Sequence, residues 1–135
     1  MNKNRDFIES ISAAVRTQVE KDERILAVLL LGSAARGDMR PDSDIDLALM
    51  AGPGDKTDVL ERSQMAGELS YELARSVDVG EISSKNLVYA REALLKGTLL
   101  FCRDIEKFNL ARVSILGMYL QFNLDRKEIL DAYRA

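Results

Sequence analysis

The chain has 135 residues, 47% of them hydrophobic and 30% charged, enough for one domain (residues 1–135) that buries about two thirds of its unfolded surface. A net charge of −3, a pI near 5.1 and the lack of any basic block exclude broad, charge-driven binding to nucleic acid. With no histidine and one cysteine, Cys102, the chain excludes a Ser-His-Asp triad, a histidine base, a histidine-containing zinc site and an internal disulfide.

Residues 5–21 set Phe7, Ile8, Ile11, Ala14, Val15 and Val19 on one helical stripe, and the run Ile25 to Leu31 reads as a buried strand. A small-residue turn at Gly32 and Ser33 then opens a short helix, and Ile45 to Met50 is a second apolar strand. The breaker Ala51-Gly52-Pro53-Gly54 precedes a helix capped by Asp55 or Thr57 that runs to about Arg75, with Leu60, Ala66, Leu69 and Leu73 toward the core. A strand over Val77–Ile82, a helix over Asn86–Lys96 ended by Gly97 and a strand over Thr98–Cys102 complete a core of about residues 5–104. This order is that of an α/β fold, with a short mixed sheet of the α+β kind flanked by helices. Cys102, at the end of an apolar strand, reads as core filler rather than a nucleophile.

Residues 105–135 read as one further helical segment, broken near Gly117 or Asn123. Val113, Leu116, Met118, Tyr119, Leu120 and Phe122 either cover the chain's own sheet or form a partner surface, for which Ile129, Leu130 and Tyr133 are the candidate contacts. No stretch approaches the ~20 apolar residues of a membrane span. Met1-Asn2-Lys3-Asn4-Arg5 leads into an amphipathic segment rather than a signal sequence, so a cytoplasmic protein without membrane contact is expected.

The chemistry concentrates in residues 32–47. Asp44 and Asp46 flank Ile45, so in a strand both carboxylates point one way while Ile45 and Leu47 point into the core. They stand ~7 Å apart along the chain and repel one another unless a cation sits between them. Magnesium suits such a pair, because it takes one or two carboxylates and completes its shell with phosphate oxygens and water. Gly32 permits a tight turn, Ser33 presents a hydroxyl and an amide at a helix start, and Arg36, one turn on, reaches the same phosphates or braces the loop. The same Asp-Ser-Asp segment is also compatible with a plain turn that caps its own backbone.

Gly32-Ser33, ten residues, then Asp44-Ile45-Asp46 resembles the signature of the DNA polymerase β-like nucleotidyltransferase superfamily, and the string Gly32 to Leu47 resembles its minimal nucleotidyltransferases, including the antitoxins paired with HEPN-domain toxins. Ser76-Val77-Asp78-Val79 is similar to the family's third strand with its third carboxylate, and Ala93 to Phe101 to the helix, glycine and strand that follow. The resemblance implies metal binding by Asp44, Asp46 and Asp78 with two magnesium ions, phosphate binding by Gly32 and Ser33, ATP as donor, and Asp78 aligned with the acceptor hydroxyl. Glu81, three residues along a strand from Asp78, faces the other way. The implied partner is a HEPN ribonuclease toxin, and the implied acceptor a tyrosine hydroxyl on it.

Two other readings stay open: nucleotidyl transfer to a small molecule such as an aminoglycoside, which the lack of an acceptor domain disfavours, and a non-catalytic antitoxin that acts by occlusion. A lone core of this size encloses little of an acceptor, so a partner or a homo-oligomeric mate is expected to supply it.

Overall fold

The structure is a computed structural model that describes residues 3–32 and 43–134. Two apolar heptapeptides form the centre of the sheet: β1 (Ile25–Leu31) and β2 (Ile45–Ala51). They pair antiparallel, from Ile25 opposite Ala51 to Leu31 opposite Asp46. β3 (Val77–Glu81) runs parallel to β2, and β4 (Thr98–Cys102) antiparallel to β1, which gives the order β3-β2-β1-β4.

Both faces of this mixed sheet are covered, which is why β1 reads as an unbroken apolar run rather than an alternation. On one face Val28, Leu30, Ile45, Leu47 and Leu49 pack with Ile11, Ala14, Val15 and Val19 of α1 (Lys3–Val19) and Leu69 of α2 (Val59–Leu73). On the other, Leu26, Leu29, Ala48 and Met50 pack with Ala90, Ala93 and Leu94 of α3 (Leu87–Lys96) and Phe108 of α4 (Ile105–Arg134). Arg103 closes the corner where α1 ends: its guanidinium donates to the carbonyls of Ile25 and Val19, each at 2.9 Å, and of Glu20 and Asp22, each at 3.1 Å.

Three details differ from the sequence reading. The cap of α2 is Asp58, not Asp55 or Thr57: its side chain accepts from the Glu61 amide at 2.7 Å, and the Asp-x-x-Glu spacing is that of a capping box. Thr57 is spent elsewhere, its hydroxyl and carbonyl both accepting from Arg62. Leu60 lies half a turn round from Leu69 and is 68% exposed, so the buried stripe of α2 runs instead through Met65, Leu69 and Leu73. Finally, α4 is unbroken from Ile105 to Arg134. A glycine in an exposed helix interior costs only ~1 kcal/mol, and Gln121–Asp125 and Arg126–Asn123 side-chain bonds, both 2.9 Å, span the region where a break was expected.

The first half of α4 packs on the sheet through Phe108, Ala111, Ile115 and Leu116, and the Arg91 guanidinium stands 5.2 Å over the Tyr119 ring to tie it to α3. From Leu120 onward every described residue except Asn123 is exposed, including Ile129, Leu130 and Tyr133. Among the described residues, no helix is long and apolar enough to cross a membrane.

Candidate active site

The parallel pairing of β2 with β3 places Asp46 directly opposite Asp78. Residues in register on neighbouring strands point to the same face, with strand axes ~4.8 Å apart. The two carboxylates therefore form one acidic rung. It lies on the face of Ala48 and Met50, at the end of the sheet where β2 and β3 begin, while Ile45 and Leu47 are buried on the opposite face. That alternation is the one expected for Asp-x-Asp in a strand.

Asp44 sits one residue ahead of β2 and is exposed. Its charge reaches Asp46, yet among the described residues no three acids converge into a closed metal cage. The Asp46 carboxyl is pushed above its ordinary value of 3.8, first by burial, then by the negative charges of Asp78 and Asp44. Like charges crowded at a cleft, with hard oxygen donors and open positions left over, are the donor set that fits a magnesium ion delivered with phosphates.

Gly32 follows directly on β1, whose last residue Leu31 pairs with Asp46. Its φ of +71° is left-handed, and a Cβ there would stand 3.2 Å from the Asp46 carboxylate. The left-handed backbone favours glycine at this position, and the close approach to the Asp46 carboxylate leaves little room for a side chain. Ser33 and Arg36 lie outside the described residues.

A cleft of about 420 Å³ opens over the rung, lined by Asp46, Asp78, Gly80 and Tyr89 among others. A neighbouring cleft of about 450 Å³ is lined by Leu31, Gly32, Glu92 and Lys96. Leu31 borders both.

The sequence profile of the Polymerase beta, Nucleotidyltransferase family matches residues 14–106. The chain belongs to this nucleotidyltransferase family. A relative, the protein adenylyltransferase MntA of Shewanella oneidensis, is 28% identical over 110 residues, 80% of this chain and 76% of that one. A toxin–antitoxin crystal structure with AMP-PNP superposes with a TM-score of 0.76 at 24% identity, over 92% of this chain and 98% of the other. A complex of a tri-AMPylated Shewanella oneidensis HEPN toxin with its MNT antitoxin gives 0.71 at 23% identity, over 98% and 99%. At such identities the likeness to these structures is one of fold, and it bears out the expected mixed-sheet architecture of a minimal nucleotidyltransferase.

Within this nucleotidyltransferase core, Glu81 is occupied by Arg62, whose Nη1 donates to it at 3.2 Å. It takes no place on the rung, as its spacing from Asp78 implies. The residue that the sequence reading misses is Tyr89. It lines the cleft with both acids. Burial first, then the charge of Asp46, raise its phenol above the ordinary value, partly offset by Arg62 and raised further by Asp78. A tyrosine on an amphipathic helix reads as core; the one available signal is Gly80 inside a strand, which marks a close approach.

Proposed function

We propose that this chain is a magnesium-dependent adenylyltransferase that moves AMP from ATP to a tyrosine hydroxyl of a cognate HEPN ribonuclease toxin, and so acts as its antitoxin in the cytoplasm. The observation that carries this reading is the acidic rung of Asp46 and Asp78 beside the left-handed Gly32, at the mouth of a cleft. It is supported by the relative named a protein adenylyltransferase and by the similar fold seen bound to an AMPylated HEPN toxin.

Asp44, Asp46 and Asp78 would hold the metal, and Gly32, Ser33 and Arg36 the triphosphate. Magnesium bound there supplies positive charge against the negative charge that builds on the phosphates in the transition state. Asp78 accepts a hydrogen bond from the acceptor hydroxyl and takes its proton as the phenolic oxygen bonds the α-phosphorus and the α–β bridge breaks, releasing pyrophosphate. The added AMP places negative charge and bulk on the toxin, where it competes with RNA phosphates. The exposed outer half of α4 is where we place the toxin, because large apolar side chains there have no cover among the described residues.

That same surface gives the occlusion reading an observation of its own, so the test separates the two. Intact mass of the toxin after incubation with the chain, magnesium and ATP is expected to rise in whole multiples of AMP. The Asp44→Asn/Asp46→Asn variant is expected to bind the toxin and add nothing. A variant that protects cells from the toxin as well as the parent does would establish occlusion instead.

A further inference from the structure

We propose that Tyr89 is a positioning residue for the acidic rung, its hydroxyl donating a hydrogen bond to the paired carboxylates of Asp46 and Asp78 when they gather a cation. A Cβ built on Gly80 would meet the Tyr89 phenol oxygen at 2.3 Å and its Cζ at 2.8 Å. The ring can lie there only because residue 80 has no side chain, so the glycine and the tyrosine are a fitted pair.

The register fixes where this puts the hydroxyl. Gly80 is two residues past Asp78 on β3 and pairs with Ala48, two residues past Asp46 on β2. Same-face neighbours along a strand are ~7 Å apart. The phenol oxygen thus stands one same-face step behind the rung, at the back of the cleft that all three side chains line. Its backbone is anchored, since the Asn86 side chain caps α3 by accepting from the Tyr89 amide at 3.4 Å, and Ala90 and Ala93 are fully buried against the sheet.

Among the described residues nothing hydrogen-bonds the hydroxyl, Asp46 and Asp78 included, so it is free to turn to them. A neutral phenol is a donor and a carboxylate an acceptor, so the two acids in front of it are its natural partners. A donor behind a metal-binding carboxylate sets the direction of its free oxygens, and losing such a donor costs about 10–100-fold in metal affinity or activity.

This inference rests on the transferase reading, and the experiment keeps their failures apart. Mn²⁺ binding to the nucleotide-free protein, followed by electron paramagnetic resonance, is measured beside AMP transfer to the toxin. Tyr89→Phe keeps the ring on Gly80 and is expected to hold the parent's Tm, weaken Mn²⁺ binding about tenfold and lower kcat about tenfold, with KM for ATP little changed. Tyr89→Leu is expected to lose as much and also to lower Tm, since it empties the space over Gly80. If Tyr89→Phe matches the parent in both Mn²⁺ affinity and kcat, the positioning role is overturned. A parent that binds Mn²⁺ but transfers nothing sinks the transferase reading, while the Mn²⁺ affinities still decide the role of Tyr89. A parent that binds no Mn²⁺ without nucleotide overturns the role of Tyr89 at the free rung, while AMP transfer alone decides the transferase reading.

Discussion

Replacing Asp46 by Asn is expected to slow AMP transfer by about a thousandfold, the equivalent of ~4 kcal/mol of transition-state stabilisation, and at the same time to stabilise the metal-free protein. The two effects share one cause. Burial, Asp78 and Asp44 hold the Asp46 carboxyl above its ordinary value of 3.8, so its ionised form is disfavoured in the folded chain. The stability it contributes is fully present below that ordinary value and is lost as pH rises through the raised one. At neutral pH the parent therefore carries a penalty that the neutral amide removes. Urea midpoints in EDTA should be higher for Asp46→Asn than for the parent, and added magnesium should raise the parent's midpoint and not the variant's. A carboxylate must be deprotonated to bind a cation, so transfer should fail on acidification at a pH less acidic than an ordinary aspartate would dictate. A variant that is destabilised in EDTA, or that keeps its rate, would contradict this account of the rung.

Gly97→Ala is expected to destabilise the fold by about 2 kcal/mol and lower Tm by about 8 °C. The backbone at Gly97 is extended, with φ −75° and ψ 158°, which any residue adopts, so the glycine is there for space. A Cβ would meet the Ala93 carbonyl oxygen at 2.5 Å, Leu31 Cδ2 at 2.9 Å and Leu29 Cβ at 3.2 Å. The carbonyl cannot retreat, because it accepts the Gly97 amide at 2.9 Å and ends α3. The strain falls on Leu31, which borders both clefts, so KM for ATP should rise with the loss of stability. Gly117→Ala is the matched control. Nothing lies within 4 Å of a Cβ there, and the helix should gain ~1 kcal/mol. Thermal denaturation of the pair is therefore expected to move in opposite directions, and a Gly97→Ala variant as stable as the parent would refute the steric argument.

Much of this arrangement was legible in the residues. The apolar runs at 25–31 and 45–51 declare buried strands, and Asp44-Ile45-Asp46 declares a strand with one wet face. The partner of that face was less accessible: Asp78 meets Asp46 through a pairing of residues 32 apart, and no local pattern sets a parallel register across a helical crossover. Resemblance supplied Asp78 where spacing alone did not. The cap of α2 was misplaced because four adjacent positions, Asp55 to Asp58, hold three residues able to cap, and only Glu61 three residues after Asp58 distinguishes them. The break expected in α4 gave glycine more weight than a long helix does. Tyr89 and Gly80 were missed together, since each is ordinary alone and only their contact gives them meaning. Ser33 stands on sequence and resemblance, and Arg36 on sequence alone.

The unbroken α4 also has a consequence for how occupancy of this protein can be followed. Its outer fifteen residues, 120–134, lie almost wholly in water, and a helix of that length is marginal by itself, so its amides are held closed chiefly by continuity with the docked half. Hydrogen exchange should therefore run inward from Arg134 in a gradient, fast at the tip and slow by Phe108, while the sheet amides stay protected. Anything seated on the outer half would flatten that gradient. The helix is then a built-in gauge, reporting by its own exchange whether the chain stands alone or in company.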